Sequence, residues 1–191
     1  MRTSRFVPFF VLALFFVAGC RGSQDVTVSY NSEKNMTTYK TGPYTVSRTS
    51  SENYGGSKSI DLRAVARCQG SNCSPSTVQL VFSASGGEEL ALSGAEGKIT
   101  ADGSTVSWTS AEAGKAFSTM SRDQVNRVIG QFAAVELTLN QVEQIATASS
   151  IRGSIGGMSL NLRSGMQSGF QKLLQKIRRG GDGQRPSGTQ G

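Results

Sequence analysis

From Val26 to Trp108 the apolar residues recur at every second position: Val26, Val28 and Tyr30; Tyr44 and Val46; Ile60, Leu62 and Ala64; Val78, Leu80 and Phe82; Val106 and Trp108. Their neighbours are polar, among them Thr27, Ser29, Thr45, Asp61, Arg63, Gln79 and Ser107. Successive side chains of an extended chain point to opposite faces, so this pattern makes strands with one dry and one wet face, the usual material of antiparallel sheets. The breaks carry turn chemistry: "TGPY" at 41–44, "NYGGS" at 53–57, "RCQGSNCSP" at 67–75, "SGGE" at 85–88 and "ADGS" at 101–104. A meander or sandwich-like sheet is the expectation.

After Ala111 the period lengthens. "SRDQVNRVIGQFAAVEL", 121–137, spaces Val125, Val128, Ile129 and Phe132 as on a helix, although Gly130 disfavours one. "LTLNQVEQIATASS", 137–150, predicts a helix with Asn140 as cap, Glu143 as its capping-box partner, and Val142, Ile145 and Ala146 facing inward. "IRGSIGGMSLNL" sets Gly156-Gly157 between two alternating runs, a tight hairpin with positive φ at both turn residues. "SGMQSGFQKLLQKIRR", 164–179, follows as an amphipathic helix. Ser164 is its expected cap, Gln167 the box partner, and Met166, Phe170, Leu173, Leu174 and Ile177 one apolar stripe. Gly165 and Gly169 fall on one side of it, as close packing against a sheet requires.

These elements predict an α+β class: an antiparallel sheet packed with two or three C-terminal helices that cover its apolar face. One domain, residues 26–179, is the expected unit. The end of the chain, 180–191, has five glycines among twelve residues and no large apolar side chain, so nothing offsets the entropy of ordering it. It is expected to be a disordered tail.

The chain has no histidine, which excludes histidine-dependent general-base catalysis and the commonest neutral metal ligand. None of its lysines completes a Ser-x-x-Lys pair. Glu88 and Glu89 are adjacent and diverge in any strand. Asp102-Gly103 reads as a turn, since the ladder of oxygen ligands that calcium needs is missing. Trp108, Tyr30, Tyr39, Tyr44 and Tyr54 are explained by core and strand-face packing before any ligand groove. No catalytic residue, metal ligand or bound cofactor is expected, and the reading is non-enzymatic.

The N-terminus gives an address. Arg2 and Arg5 precede an apolar run from Phe6 to Phe16, followed by the small residues Ala18 and Gly19. Roughly ten apolar residues are too few to span a ~30 Å hydrocarbon layer, so residues 1–19 read as a signal peptide that is removed. Val17-Ala18-Gly19-Cys20 closely resembles the lipobox of bacterial lipoproteins. That resemblance covers about twenty residues and implies a diacylglycerol on the Cys20 sulfur, cleavage before Cys20, and an acyl chain on its new amino group. Two or three acyl chains, each buried CH₂ contributing about 0.8 kcal/mol, hold a domain on a bilayer where one does so marginally. Residues 20–25 would be the tether. Arg21, in place of aspartate, is similar to the pattern that sorts lipoproteins to the outer membrane, which implies an anchor there with the domain facing the periplasm. The order of elements from residue 135 onward also resembles a segment of several exported bacterial proteins of no assigned activity.

An exported chain meets an oxidising compartment. With Cys20 set aside, Cys68 and Cys73 remain, and a structural disulfide between them is expected. Four residues intervene where redox pairs use two, and no second pair completes a zinc site. Formal charge is +7, or +5 without Arg2 and Arg5. The denser basic end, Lys172, Lys176, Arg178 and Arg179, offers contacts to an anionic envelope polymer as well as charge for a helix C-terminus. Nucleic acid is not an expected partner, because no aromatic residues are interleaved with the charge. The expectation is a lipid-anchored envelope module that binds a protein or polymer, or supports an assembly. A small-ligand carrier with a cavity between sheet and helices is the alternative, and a histidine-independent enzyme the second.

Overall fold

The computed structural model describes residues 26–50, 57–85, 92, 96–108, 112–119 and 126–181. In chain order the elements are β1 (Thr27–Asn31), β2 (Met36–Lys40), β3 (Tyr44–Ser50), β4 (Ser57–Gln69), β5 (Thr77–Ser85), β6 (Gly97–Ala101), β7 (Ser104–Trp108), β8 (Glu112–Thr119), β9 (Asn126–Thr138), α1 (Leu139–Thr147), β10 (Ile151–Ile155), β11 (Met158–Leu160) and α2 (Ser164–Gly181). The protein is mainly antiparallel sheet with two helices near the C-terminal end, within the α+β class the periodicities predict.

Seven strands form one sheet in the order β1-β2-β4-β5-β9-β8, with β3 also on β4. β4 is 13 residues long, so one of its edges serves two partners. Its C-terminal part pairs with β2, from Met36↔Gln69 to Lys40↔Val65, and its N-terminal part with β3, from Tyr44↔Leu62 to Ser50↔Ser57. At the corner between β2 and β3, buried Thr41 continues the ladder. Its N–H donates to the Ala64 carbonyl and its hydroxyl accepts from the Ala64 N–H, each at 3.0 Å. The turn thereby bends the chain without leaving buried backbone groups unpaired.

The second sheet has the order β11-β10-β6-β7. Both of its hairpins turn on residues with positive φ: Asp102 (46°) with Gly103 (86°), and Gly156 (54°) with Gly157 (79°). These backbone angles match the twist of the flanking strands, as the "ADGS" and "SIGGMS" stretches predict.

The largest departure from expectation is residues 126–138, which are not helical but form the 13-residue strand β9. Ala133 and Leu137 are buried and Val135 half-buried, whereas Phe132 is 43% exposed, so the working period is two. β9 pairs with β5 on one side and β8 on the other. The β8 ladder runs along 126–134 and the β5 ladder along 131–138, so the two together pair the strand along its length. Gly130 marks a local irregularity: it lies opposite Ala116, beside the point where the β8 register shifts past Ile129.

β9 runs directly into α1, and this moves the cap. Thr138 is extended (φ −71°, ψ 157°), as an N-cap must be. Its hydroxyl accepts from the Gln141 N–H at 3.3 Å, and the Gln141 side chain accepts from the Thr138 N–H at 2.8 Å. The capping box is therefore Thr138/Gln141, two residues before the expected Asn140/Glu143. Gln167 likewise does not box its own helix. Its amide donates to the Ile145 and Ala148 carbonyls at 3.2 and 2.7 Å, and Gln171 donates to the Ala146 carbonyl at 2.8 Å. Carbonyls left free at the end of α1 thus find partners on α2. α2 continues to Gly181, so the first two residues of the expected tail are helical, and 182–191 lie outside the described residues.

One core joins the layers. Ile60, Leu62, Leu80 and Phe82 of the large sheet, Ile99 and Ile155 of the small one, and Val142, Ile145, Met166, Phe170, Leu173 and Ile177 of the helices are all buried. Leu92, from the connection before β6, joins them. The two sheets also meet through backbone, where the Asn161 N–H donates to the Val46 carbonyl.

Candidate functional site

The cysteine loop is built as a staple. Cys68 lies near the end of β4, and Cys73 lies in the connection before β5 rather than on a facing strand. The two are bonded, with Cα atoms 5.8 Å apart. The loop between them takes hydrogen bonds from β2: Thr37 Oγ1 donates to the Gly70 carbonyl at 2.6 Å and Tyr39 Oη to the Cys73 carbonyl at 3.0 Å. Ser74 Oγ reaches the Ile177 carbonyl of α2. Gly180 sits over the Tyr39 phenol, where any Cβ would collide with the hydroxyl oxygen. The loop therefore fastens β2 and the last turns of α2 to the end of β4. A Cys68→Ser/Cys73→Ser double variant is expected to lose about 2 kcal/mol by the chain-entropy account of so short a loop. Urea unfolding of the two proteins side by side measures it.

The basic residues of α2 divide between two surfaces. Arg178 turns toward α1 and pairs with Glu143 at 2.8 Å, both groups well exposed, so the pair contributes at most about 1 kcal/mol. Lys172, Lys176 and Arg179 are spaced four and three residues apart and lie on the outer, exposed side of the helix. The structure thus places three of the four residues proposed for polyanion contact on one exposed side of α2 and turns Arg178 toward Glu143.

Asp102 is explained by the turn it occupies. Its two carboxylate oxygens accept from the Ser149 and Ser150 N–H groups at 2.9 and 2.8 Å, and its own N–H donates to the Ser150 carbonyl. Both oxygens are engaged in tying the β6–β7 hairpin to the α1–β10 connection. The Ser149 and Ser150 amides hold its carboxyl below the ordinary 3.8. A depressed folded-state pKa gives stability that is present above the unfolded value and lost as pH falls through the folded one. Acid unfolding of wild type should therefore have a component below pH 3.8 that Asp102→Asn removes, since asparagine tolerates the same positive φ. Acid titrations followed by circular dichroism test this, and identical profiles would refute it.

One cleft was not foreseen. It lies where β3 bulges, at the Thr45/Ser47 register shift, against the segment leaving β11. It measures about 350 Å³ and is lined by Thr45, Val46, Ser47, Arg48, Asn161 and Arg163. The Asn161–Val46 backbone bond fixes one wall, and the Arg163 carbonyl accepts from the Met166 and Gln167 N–H groups as α2 begins. Arg48 and Arg163 are exposed, and neither guanidinium has an ion-pair partner among the described residues. Sequence reasoning missed it because the two arginines are distant along the chain and belong to no motif. A strand bulge and a helix start bring them together.

The aromatic residues behave as packing. Tyr39 and Trp108 are buried and Tyr44 lies half-buried against Phe170, while Tyr30 is 41% exposed and donates to Asn35 Oδ1. Tyr54, Glu88, Glu89 and Cys20 lie outside the described residues. Among the described residues no group of three Cys, Asp or Glu is placed to hold a metal ion, and no helix is long and apolar enough to cross a membrane.

Compared with protein-family models, with curated proteins and with solved structures, the chain matches none. Any functional reading rests on its own residues.

Proposed function

We propose that the chain is a lipid-anchored lipoprotein of the cell envelope, held in the outer membrane by acylated Cys20, with its domain facing the periplasm as a non-enzymatic binding or assembly module. The observation that carries this reading is Val17-Ala18-Gly19-Cys20 after a charged and apolar leader. Six residues separate Cys20 from Thr27, where β1 begins. A tether of residues 21–25 reaches about 17 Å when fully extended, which would keep the domain beside the bilayer. The outward stripe of Lys172, Lys176 and Arg179 suits contact with an anionic polymer or an acidic partner surface. Phe82 of the large sheet and Phe170 of α2 are fully buried in one core cluster, which favours binding at the surface over a carrier with an internal cavity.

The test is intact mass of the membrane-extracted protein, wild type beside Cys20→Ser, with cell fractionation of both. Wild type should lack residues 1–19, carry a diacylglycerol and an acyl chain, and fractionate with the outer membrane. The variant should lose the lipid and leave the membrane fraction. An unlipidated wild-type protein would overturn the reading.

A further inference from the structure

We propose that the cleft between β3 and the start of α2 binds a phosphate monoester carried on a hydroxyl-rich unit such as a sugar. Arg48 and Arg163 line the same 350 Å³ space, a volume within the ordinary range for small-ligand sites. Guanidinium presents its N–H donors in a planar fork suited to paired oxygens. A carboxylate brings two oxygens and one negative charge, so it leaves one of two guanidinium charges unbalanced. A phosphate monoester has three terminal oxygens and close to two negative charges at neutral pH, which matches two arginines in number and charge.

The remaining lining suits the carrier rather than the anion. Thr45 donates its proton to Asp61 Oδ1 at 2.7 Å, so its oxygen faces a ligand only as an acceptor, the role that a sugar hydroxyl needs. Asn161 supplies an amide that both donates and accepts, and Ser47 a hydroxyl. The Asp61 carboxylate accepts from Thr45, and among the described residues no carboxylate forms an ion pair with either arginine. The walls are backbone-fixed on both sides, by the β3–β4 ladder and by the Asn161–Val46 bond, so binding would order few main-chain groups. This inference is independent of the lipid anchor, because it uses only the folded domain.

The test is calorimetric titration of the detergent-extracted full chain with glucose 6-phosphate, glucuronate, glucose and inorganic phosphate. Glucose 6-phosphate should bind saturably and at least about tenfold more tightly than each of the other three, the scale of one lost charge-assisted contact. Arg48→Gln and Arg163→Gln should each weaken it by at least about tenfold, with thermal unfolding unchanged, whereas Lys34→Gln, in the exposed β1–β2 turn, should leave it as it is. Affinity unaffected by both arginine variants, glucuronate binding equally well, or no saturable binding of glucose 6-phosphate would overturn the proposal. If either variant fails to fold, the ranking of the four probes on wild type decides it alone.

Discussion

Replacing Trp108 with alanine should destabilise the domain by about 3–5 kcal/mol, the usual cost of emptying a large aromatic site in a core. Trp108 belongs to β7 of the small sheet, yet its ring stacks on Phe82 of β5 in the large one, centroids 5.9 Å apart and planes inclined by 29°. The same ring covers Gly97, its cross-strand partner, where a Cβ would fall inside the indole. One side chain thus fills the junction of the two sheets, and its removal leaves a void bounded by fixed backbone on one side and a buried phenylalanine on the other. The indole N–H is buried and has no hydrogen-bond partner among the described residues, an arrangement that costs something in the native state. Trp108→Phe should accordingly lose much less than Trp108→Ala, because it keeps a ring over Gly97 and deletes the unpaired donor. Urea unfolding followed by far-ultraviolet circular dichroism separates the two. A Trp108→Ala loss below about 1 kcal/mol would mean that the sheets are held together elsewhere.

How much of this was legible in the sequence depended on how local the determinants were. The strands carrying Ile60, Leu62 and Ala64, or Val78, Leu80 and Phe82, declare themselves by alternation, and the Gly156-Gly157 hairpin by its turn residues. α2 declares itself by its apolar stripe. β9 does not, because Val128, Ile129 and Phe132 fit a helix as well as a strand until β5 and β8 are present on either side. The caps failed for a related reason. Asn140 and Glu143 make an acceptable box on their own, but β9 delivers the chain to Thr138 already extended, and the helix starts there. Gln167 looks like a capping residue until α1 is beside it with free carbonyls. The cleft at Arg48 and Arg163 is the extreme case, since it arises from a bulge and an inter-sheet hydrogen bond with no trace in the local sequence.

Gly169→Ala should be destabilising by about 2 kcal/mol, the reverse of what the exchange does in an open helix interior, where alanine gains up to about 1 kcal/mol. α2 lies so close to β3 at this point that a Cβ on residue 169 would occupy the place of the Tyr44 phenol oxygen. The ring has little room to withdraw, because its edge packs on Phe170 with planes at 81°. Tyr44 Oη is itself buried with no hydrogen-bond partner among the described residues, so Tyr44→Phe alone should change stability by less than about 1 kcal/mol, toward stabilisation if anything. In the double variant the obstructing oxygen is gone, and the two changes should compensate by at least about 1 kcal/mol in a double-mutant cycle. Simple additivity would mean that α2 shifts to accommodate the methyl group and that the close approach to β3 is not a constraint. Burial also pushes the Tyr44 and Tyr39 phenols above their ordinary 10.0. A raised folded-state pKa gives stability that is whole below the unfolded value and lost as pH rises through the folded one. The wild-type domain should therefore weaken above pH 10.0, and Tyr44→Phe should shallow that decline without abolishing it, because Tyr39 still contributes.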